Sequence, residues 1–289
     1  MMAKVLLLGA TGGIGSQTLQ QLLDRGVAVT AIVRSEQRLP GGARGHKLLT
    51  ALERETGALG MPLDELAEAV RGCDAVVSCL GHNMSLRGMF GHPRGLCVDT
   101  TRHACDAIKL VLPDKPIKLI VVNTVGVDHP AGTDPPRGRM ERLLIWLIEV
   151  LLPPMAGANG GAGRARTHAH ALARTHAPLH ARSRAQVFLT PCPRPDNVKT
   201  LHYLHNEASK NPHVEYCAVR PDDLLDSDKK TEDLPPFAVH ETLQNGLFNA
   251  GVTTRANVGR FMADLVTEPS VWTRWRGKFP QILDVVEKK

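Results

Sequence analysis

The chain has 289 residues, of which 43% are hydrophobic, and this suits one large α/β domain or two small ones. Its formal net charge of +6 comes entirely from residues 156–195, which hold six arginines and no lysine or acidic residue. The neutral remainder excludes a generally basic protein and argues against a nucleic-acid partner. Nucleic-acid binding through the arginines of 156–195 is left as a weaker alternative function. The longest apolar run, Leu143–Leu152, is far shorter than the ~20 residues of a membrane span, so no membrane partner is predicted.

The cysteines show no C-x-x-C spacing, and no secretory signal precedes the first strand-like run. We therefore expect free thiols in a reducing compartment and a cytoplasmic protein. The six cysteines are Cys73, Cys79, Cys97, Cys105, Cys192 and Cys217.

The predicted elements alternate between strands and helices along the chain. Lys4–Leu8 is an apolar run without alternation, as in a strand buried on both faces of a parallel sheet. After a glycine-rich turn, a helix is predicted over 14–24 and a second strand over 27–33. Further helices are predicted at 62–70, 98–112, 197–209 and 256–266, and further strands at 74–80, 117–122 and 213–219. Residues 46–59 show no clear hydrophobic periodicity and are not assigned to a helix or a strand.

This alternation predicts a doubly wound parallel α/β sheet, the Rossmann fold, as a single domain over residues 1–289. We expect a small substrate lobe built from the 81–95 loop, the 143–152 helix and the 222–253 region. The acidic run Asp222–Asp233 within that region is expected to be a solvated loop.

Residues 156–195 do not fit this pattern. They contain the repeat Ala-Arg-Thr-His-Ala at 165–169 and at 173–177, within a stretch of Gly, Ala, Arg, His and Pro. This composition offers little hydrophobic surface to offset the entropy of ordering, which predicts a disordered insertion. The alternative is a retained intron, because a simple nucleotide repeat encodes this pattern, and sequencing of the mature transcript distinguishes the two.

The turn that follows the first strand carries the strongest chemical signal. Glycines between a buried strand and a helix let backbone N–H groups and the helix N-terminus approach a pyrophosphate. The predicted cofactor contacts in this turn are Gly9, Thr11, Gly12, Gly13 and Ile14.

The end of the second strand indicates which dinucleotide is bound. A site that prefers NAD places Asp or Glu there to hold both ribose hydroxyls. This chain instead has Arg34, with Ser35 and Arg38 after it, and an arginine suits a 2′-phosphate. The predicted cofactor is therefore NADP(H).

Several motifs together resemble the atypical short-chain dehydrogenase/reductase superfamily, in its NAD(P)H-binding, NmrA-like and flavin-reductase-like branch. They are Val5–Gly15, Arg34, Asp74–Ser78, Asn123–Gly126, Val219–Leu224 and Thr253–Met262. The resemblance implies that Cys79, Leu80 and Gly81 pass beside the adenosine half of the cofactor. It also implies that Thr124 lies near the nicotinamide and that Arg220 and Pro221 close over its ring.

The Y-x-x-x-K pair, by which many short-chain reductases protonate a carbonyl, is absent, because neither Tyr203 nor Tyr216 is followed by a lysine at that spacing. The predicted catalytic residues are Thr124, in the serine position, and Lys199. No metal site is predicted.

Three interpretations stay open at this stage. Hydride could pass to a flavin or quinone with solvent supplying the proton; His82, His129 or Tyr203 could be the proton donor; or the protein could bind NADP(H) without turnover. The sequence thus predicts an NADP(H)-dependent oxidoreductase with a small-molecule substrate, as a monomer or small homo-oligomer. The alternative is a non-catalytic NADP(H) sensor or assembly factor of the NmrA-like type.

Overall fold

The computed structural model describes residues 2–81, 95–141, 143, 194–227 and 233–285. The described residues of 1–137 and 193–289 form one unit, to which every element named below belongs, and those of 138–192 belong to another.

Strands and helices alternate through most of the described chain, as expected. The strands are β1 (Lys4–Leu8), β2 (Ala28–Val33), β3 (Leu49–Glu53), β4 (Ala75–Ser78), β5 (Ile117–Val122), β6 (Val214–Pro221), β7 (Asp223–Leu225), β8 (Phe237–His240), β9 (Val252–Thr254) and β10 (Gln281–Asp284). The helices are α1 (Gly13–Asp24), α2 (Leu63–Val70), α3 (Leu96–Val111), α4 (Arg194–Asn206), α5 (Arg255–Thr267) and α6 (Pro269–Trp275).

Eight strands form one sheet in the order β3-β2-β1-β4-β5-β6-β10-β8. Every neighbouring pair is parallel except β8, which runs antiparallel to β10 at the edge. The strand order reverses between β1 and β4, which is where doubly wound sheets open a crevice beyond the carboxyl ends of the strands. The short strands β7 and β9 pair in a separate parallel sheet.

Both faces of the large sheet are covered. Along β1, Val5 and Leu7 belong to the core shared with α1, α5 and α6, whereas Leu6 and Leu8 belong to the core shared with α2, α3 and α4. All four side chains are at most 1% exposed. This two-sided burial explains why β1 is an unbroken apolar run, and it confirms the predicted doubly wound α/β fold.

The start of α3 is fixed by a residue distant in sequence. The buried Asp196 carboxylate, in the first turn of α4, accepts the N–H groups of Cys97 at 2.8 Å and Val98 at 2.9 Å. Because the first N–H groups of a helix have no partner within it, this carboxylate satisfies two of them and couples α3 to α4.

Some boundaries differ from the sequence prediction. The unassigned 46–59 stretch contains β3, and the edge strand β8 and its neighbour β10 were not predicted. Helix α4 spans Arg194–Asn206, three residues earlier than the helix predicted at 197–209, and it includes the last two residues of the predicted insertion. The rest of that insertion, residues 156–193, lies outside the described part of the chain. Residues 82–94 and 144–152 of the expected substrate lobe also lie outside the described part of the chain. The described portion of the lobe is therefore mainly the region from β7 to β9.

The expectation of a solvated acidic run is wrong at its start. Asp222 is 7% exposed and accepts hydrogen bonds from the Gly251 N–H and the Gln281 side chain, both at 3.1 Å. Burial raises the pKa of Asp222 despite these donors. Asp223 begins β7 instead of a loop.

The five cysteines in the described ranges are free thiols. Among the same residues, no helix is both long and apolar enough to cross a bilayer.

A buried ion pair joins the end of β6 to the loop after β5. Arg220 and Asp134 have side chains 0% and 3% exposed, and two hydrogen bonds of 2.5 and 3.0 Å link guanidinium to carboxylate. Arg220 also donates from Nε to the Phe279 carbonyl at 2.6 Å, and Asp134 accepts two backbone N–H groups. The pair therefore holds four segments together, namely the loop after β5, the end of β6 and the segments at Leu243 and Phe279.

The Asp134 carboxylate is stabilised in its charged form. Burial alone would raise its pKa, but the hydrogen bonds and charge of Arg220, with the N–H groups of Leu243 and His129, outweigh burial and lower it. A lowered pKa in the folded state means that ionised Asp134 contributes to stability.

Replacing Asp134 with Ala is expected to lower the free energy of unfolding by about 3–5 kcal/mol, because it leaves the Arg220 charge buried without its partner. Urea unfolding at neutral pH measures the loss. Glu68→Ala, which removes an exposed pair with Arg71 one helical turn away, is the matched control and should lower the free energy of unfolding far less than Asp134→Ala does. Equal costs for the two variants would contradict this account of the pair.

The same variant gives a prediction for pH. The contribution of Asp134 is complete above the ordinary aspartate pKa of about 3.9 and is lost as the pH falls through the lowered folded value. The stability difference between wild type and Asp134→Ala should therefore shrink when the pH is reduced to about 3. An unchanged difference would show that the carboxylate charge does not contribute.

Candidate cofactor site

The turn from β1 into α1 is closed by backbone contacts. Gly9 has a φ of +84°, and its carbonyl accepts the Gly12 N–H at 3.0 Å. A Cβ on Gly9 would lie 2.9 Å from the carbonyl oxygen of Cys79, and a Cβ on Gly15 would overlap the Gly9 carbonyl. Only glycine at these two positions lets β1, α1 and the chain leaving β4 approach so closely.

The N-terminus of α1 faces out of this turn. Gly12 and Gly13 are exposed, no side chain caps the helix, and its first turn has no acidic residue. The N–H groups of a first turn lack partners within the helix and lie at the positive end of its dipole, so they suit a phosphate. Thr11 is half-buried beside them, whereas the Ile14 side chain is buried, which leaves only its backbone for a ligand.

The residues after β4 lie against this turn. The Cys79 N–H donates to the Leu8 carbonyl at 2.9 Å, and the Cys79 thiol lies 3.5 Å from the Thr18 hydroxyl. Burial raises the pKa of this thiol to about 12, so it stays protonated and unreactive at neutral pH. The backbone of Cys79, Leu80 and Gly81 is therefore the part that can line the crevice.

Arg34 directly follows β2, the neighbour of β1 in the sheet, and its side chain is exposed. The loop after it is tied to β3, because the Glu36 N–H donates to the Glu53 carboxylate at 2.8 Å. Arg38 is exposed in the single helical turn Glu36–Arg38. The loop that follows β2 thus presents two exposed cationic side chains, Arg34 and Arg38.

Thr124 lies at the carboxyl end of β5. Its hydroxyl oxygen accepts the Gly126 N–H at 3.2 Å, which leaves the hydroxyl proton able to be donated. The neighbouring Asn123 donates to the Asn197 carbonyl at 3.1 Å, and this bond holds the start of α4 at the end of β5. Lys199, two residues further along α4, is exposed.

Arg220 is not available to the nicotinamide in the predicted way. Its guanidinium is fully buried and paired with Asp134, so its role is structural. Pro221 is buried as well, and its carbonyl accepts the Val125 N–H at 3.4 Å. The guanidinium is thus committed to Asp134, and the closure of Arg220 and Pro221 over the nicotinamide ring stays a prediction that concerns their backbone.

The structure also bears on the alternative proton donors. Tyr203 is 9% exposed in the core between α3 and α4, and burial raises its pKa well above the usual range. The His129 ring packs 4.8 Å from that of Phe279, and burial lowers its pKa. Tyr203 is therefore a packing residue, while His82 lies outside the described residues.

Arg255, which the sequence did not single out, lies beside the glycine turn. A Cβ on Gly13 would be 2.8 Å from Arg255 Cδ and 3.0 Å from its Nε. Its position follows from the Thr254 cap, whose hydroxyl accepts the Asn257 N–H and starts α5 at Arg255. A signal for this residue was available in the sequence, since a threonine cap followed by arginine places a cation in a first turn.

The family comparison covers this same region. Residues 9–149, about half of the chain, match the model of a family described as NAD(P)H-binding. The matched range starts at Gly9 and includes Arg34, the 79–81 segment and Thr124. A search of curated protein sequences finds no match.

Solved structures with a similar fold include three bacterial proteins. A candidate epimerase from Bacteroides thetaiotaomicron has 14% identity and a TM-score of 0.59, with all of both chains covered. A candidate NADH-flavin reductase from Streptococcus pneumoniae has 15% identity and a TM-score of 0.56, covering 98% of this chain and 100% of that one. ChuY, an anaerobillin reductase from Escherichia coli O157:H7, has 15% identity and a TM-score of 0.53, with 99% and 100% covered. At these identities the similarity shows a shared fold.

Three independent observations now agree. The glycine turn lies at the switch point of the sheet, the strand order is that of a doubly wound fold, and the matched family binds NAD(P)H. Residues 9–149 of the chain are therefore similar to an NAD(P)H-binding family, and the whole chain shares its fold with bacterial proteins named as an epimerase and as reductases.

Proposed function

We propose that this protein is an NADP(H)-dependent oxidoreductase that binds its cofactor at the Gly9–Gly15 turn and transfers hydride to a small organic acceptor. The observation that carries the proposal is the exposed Arg34 side chain at the end of β2, beside the strand that leads into the glycine turn. In this fold, the end of the second strand, here β2, lies at the adenosine ribose of a dinucleotide.

The choice of NADP(H) over NAD(H) follows from the charge of Arg34. A ribose 2′-phosphate is doubly charged, and a guanidinium can bind it with two parallel hydrogen bonds. An acidic residue at this position would repel the same phosphate and bind the ribose hydroxyls of NAD instead. Arg38, also exposed on the same loop, adds a second cation.

The proposed reaction requires no protein acid. NADPH loses a hydride to the acceptor, and the reduced acceptor takes a proton from solvent, as a flavin or quinone can. Thr124 would donate a hydrogen bond to an acceptor oxygen, because its own oxygen already accepts the Gly126 N–H. Lys199, exposed near the end of β5, would contact the nicotinamide ribose. Two fold relatives carry reductase names, which supports this class of reaction.

A second candidate is a non-catalytic NADP(H) sensor or assembly factor of the NmrA-like type. The missing Y-x-x-x-K pair and the burial of Tyr203 favour it over a carbonyl reductase, because both remove a protein acid that could protonate a carbonyl. Both candidates require the same cofactor site and differ only in turnover.

Arg34→Asp is expected to weaken NADPH binding about 10- to 100-fold, because it removes a charge-assisted contact and adds a repulsive charge. NADH binding should not weaken. Calorimetric titration of both nucleotides measures the two affinities.

The control for this prediction is Arg71→Asp, the same charge change at the end of α2, where the Arg71 carbonyl contacts Lys4 at the start of β1. Arg71 lies beside the start of β1, whereas the glycine turn follows the end of β1. The Arg71→Asp change should therefore leave the affinities for NADPH and NADH unchanged. Equal NADPH and NADH affinities in the wild type would contradict the role given to Arg34.

Steady-state oxidation of NADPH with a panel of quinones, flavins and carbonyls tests for catalysis. The oxidoreductase proposal predicts turnover with at least one acceptor, and a kcat about tenfold lower in Thr124→Val, which removes one polarising hydroxyl. NADPH binding without turnover for every acceptor would reject the enzyme and favour the sensor.

A further inference from the structure

Helices α1 and α5 lie side by side with their N-termini at the same end. At that end Arg255, the first residue of α5, crosses Gly13, the first residue of α1. At the other end Arg25, just beyond α1, pairs with Asp264 of α5 at 2.7 Å. The N-terminus of α5 is therefore next to the glycine turn.

Arg255 occupies a position that is electrostatically unfavourable for a cation. It belongs to the first turn of one helix and lies over the first turn of another, and both helix ends carry partial positive charge. Neither first turn contains an acidic residue. An anion bound at this point would make the position of the Arg255 guanidinium favourable, because the anion would attract both the guanidinium and the two helix ends.

The present partner of Arg255 is easily exchanged. Its Nη1 atom lies 2.7 Å from an Asp226 oxygen, but the Asp226 side chain is 88% exposed and that of Arg255 is 29% exposed. Exposed ion pairs contribute little to stability, because water screens them and both side chains lose freedom. Arg255 can therefore leave Asp226 for a stronger anion at low cost.

We propose that Arg255 is a cofactor-binding residue that binds the diphosphate of NAD(P)H over the first turn of α1, with Asp226 holding the guanidinium when no nucleotide is present. This inference rests on the proposed function and extends it to a residue outside the matched family range. The diphosphate is the group concerned, because Arg255 lies at Gly13, whereas Arg34 lies at the end of β2 where the 2′-phosphate is placed.

The two arginines therefore have separable effects. The diphosphate is common to both nucleotides, so Arg255→Gln should weaken NADPH and NADH alike, by about tenfold, as for one lost charge-assisted contact. Asp226→Asn removes the competing carboxylate and should leave both affinities equal to wild type or tighter. Calorimetric titration of each variant with both nucleotides measures these changes, and thermal unfolding verifies that each variant is folded.

Arg25→Gln is the matched control, since it removes another arginine that bridges α1 and α5, at the far ends of the helices. It should leave nucleotide affinity unchanged. If Arg255→Gln keeps both affinities within about twofold of wild type, or if Asp226→Asn weakens binding as much as Arg255→Gln, the proposal is wrong and the pair is a structural brace. A wild-type chain that binds neither nucleotide would instead reject the proposed function itself.

Discussion

The turn between β1 and α1 has space for main chain only, and the cofactor site depends on that constraint. Gly15 lets the first turn of α1 come against the Gly9 carbonyl, and Gly9 lets the chain leaving β4 come against the turn. With side chains at these two positions, the helix end and the 79–81 segment would be pushed apart. The constraint thus places unpaired N–H groups at the carboxyl edge of the sheet, where strand order reverses.

The arginines show that burial and neighbouring charges determine the role of a cationic side chain. Arg220 is fully buried, and its charge is balanced by the Asp134 carboxylate through two hydrogen bonds, so it stabilises the fold. Arg34 and Arg255 lie around the glycine turn with partly or largely exposed side chains, and a phosphate can still reach them. Residue type alone does not separate these roles, whereas burial and the exposure of the partner do.

The sequence predicts those features that depend on neighbouring residues. The apolar run of β1, the glycine turn and the exposed Arg34 at the end of β2 each follow from local pattern, and the structure has them in place. The match of the chain to an NAD(P)H-binding family agrees with them.

Features that depend on contacts between residues far apart in the sequence could not be predicted from local sequence pattern. The partner of Arg220 is 86 residues earlier in the chain, so nothing near Arg220 shows that its side chain is committed to a carboxylate. Strand β10 pairs with β6 and β8 over only two and four residues, too short a segment for a periodic signal. Tyr203 could be recognised as buried only once α3 was known to pack against α4.

The central claim is that NADP(H) binds across the Gly9–Gly15 turn with its 2′-phosphate at Arg34. A crystal structure of the chain with NADPH tests it most directly. The account predicts diphosphate density at the N–H groups of Gly13 and Ile14 and the 2′-phosphate within hydrogen-bond distance of the Arg34 guanidinium. Nucleotide bound away from the first turn of α1, or with its 2′-phosphate remote from Arg34, would contradict it.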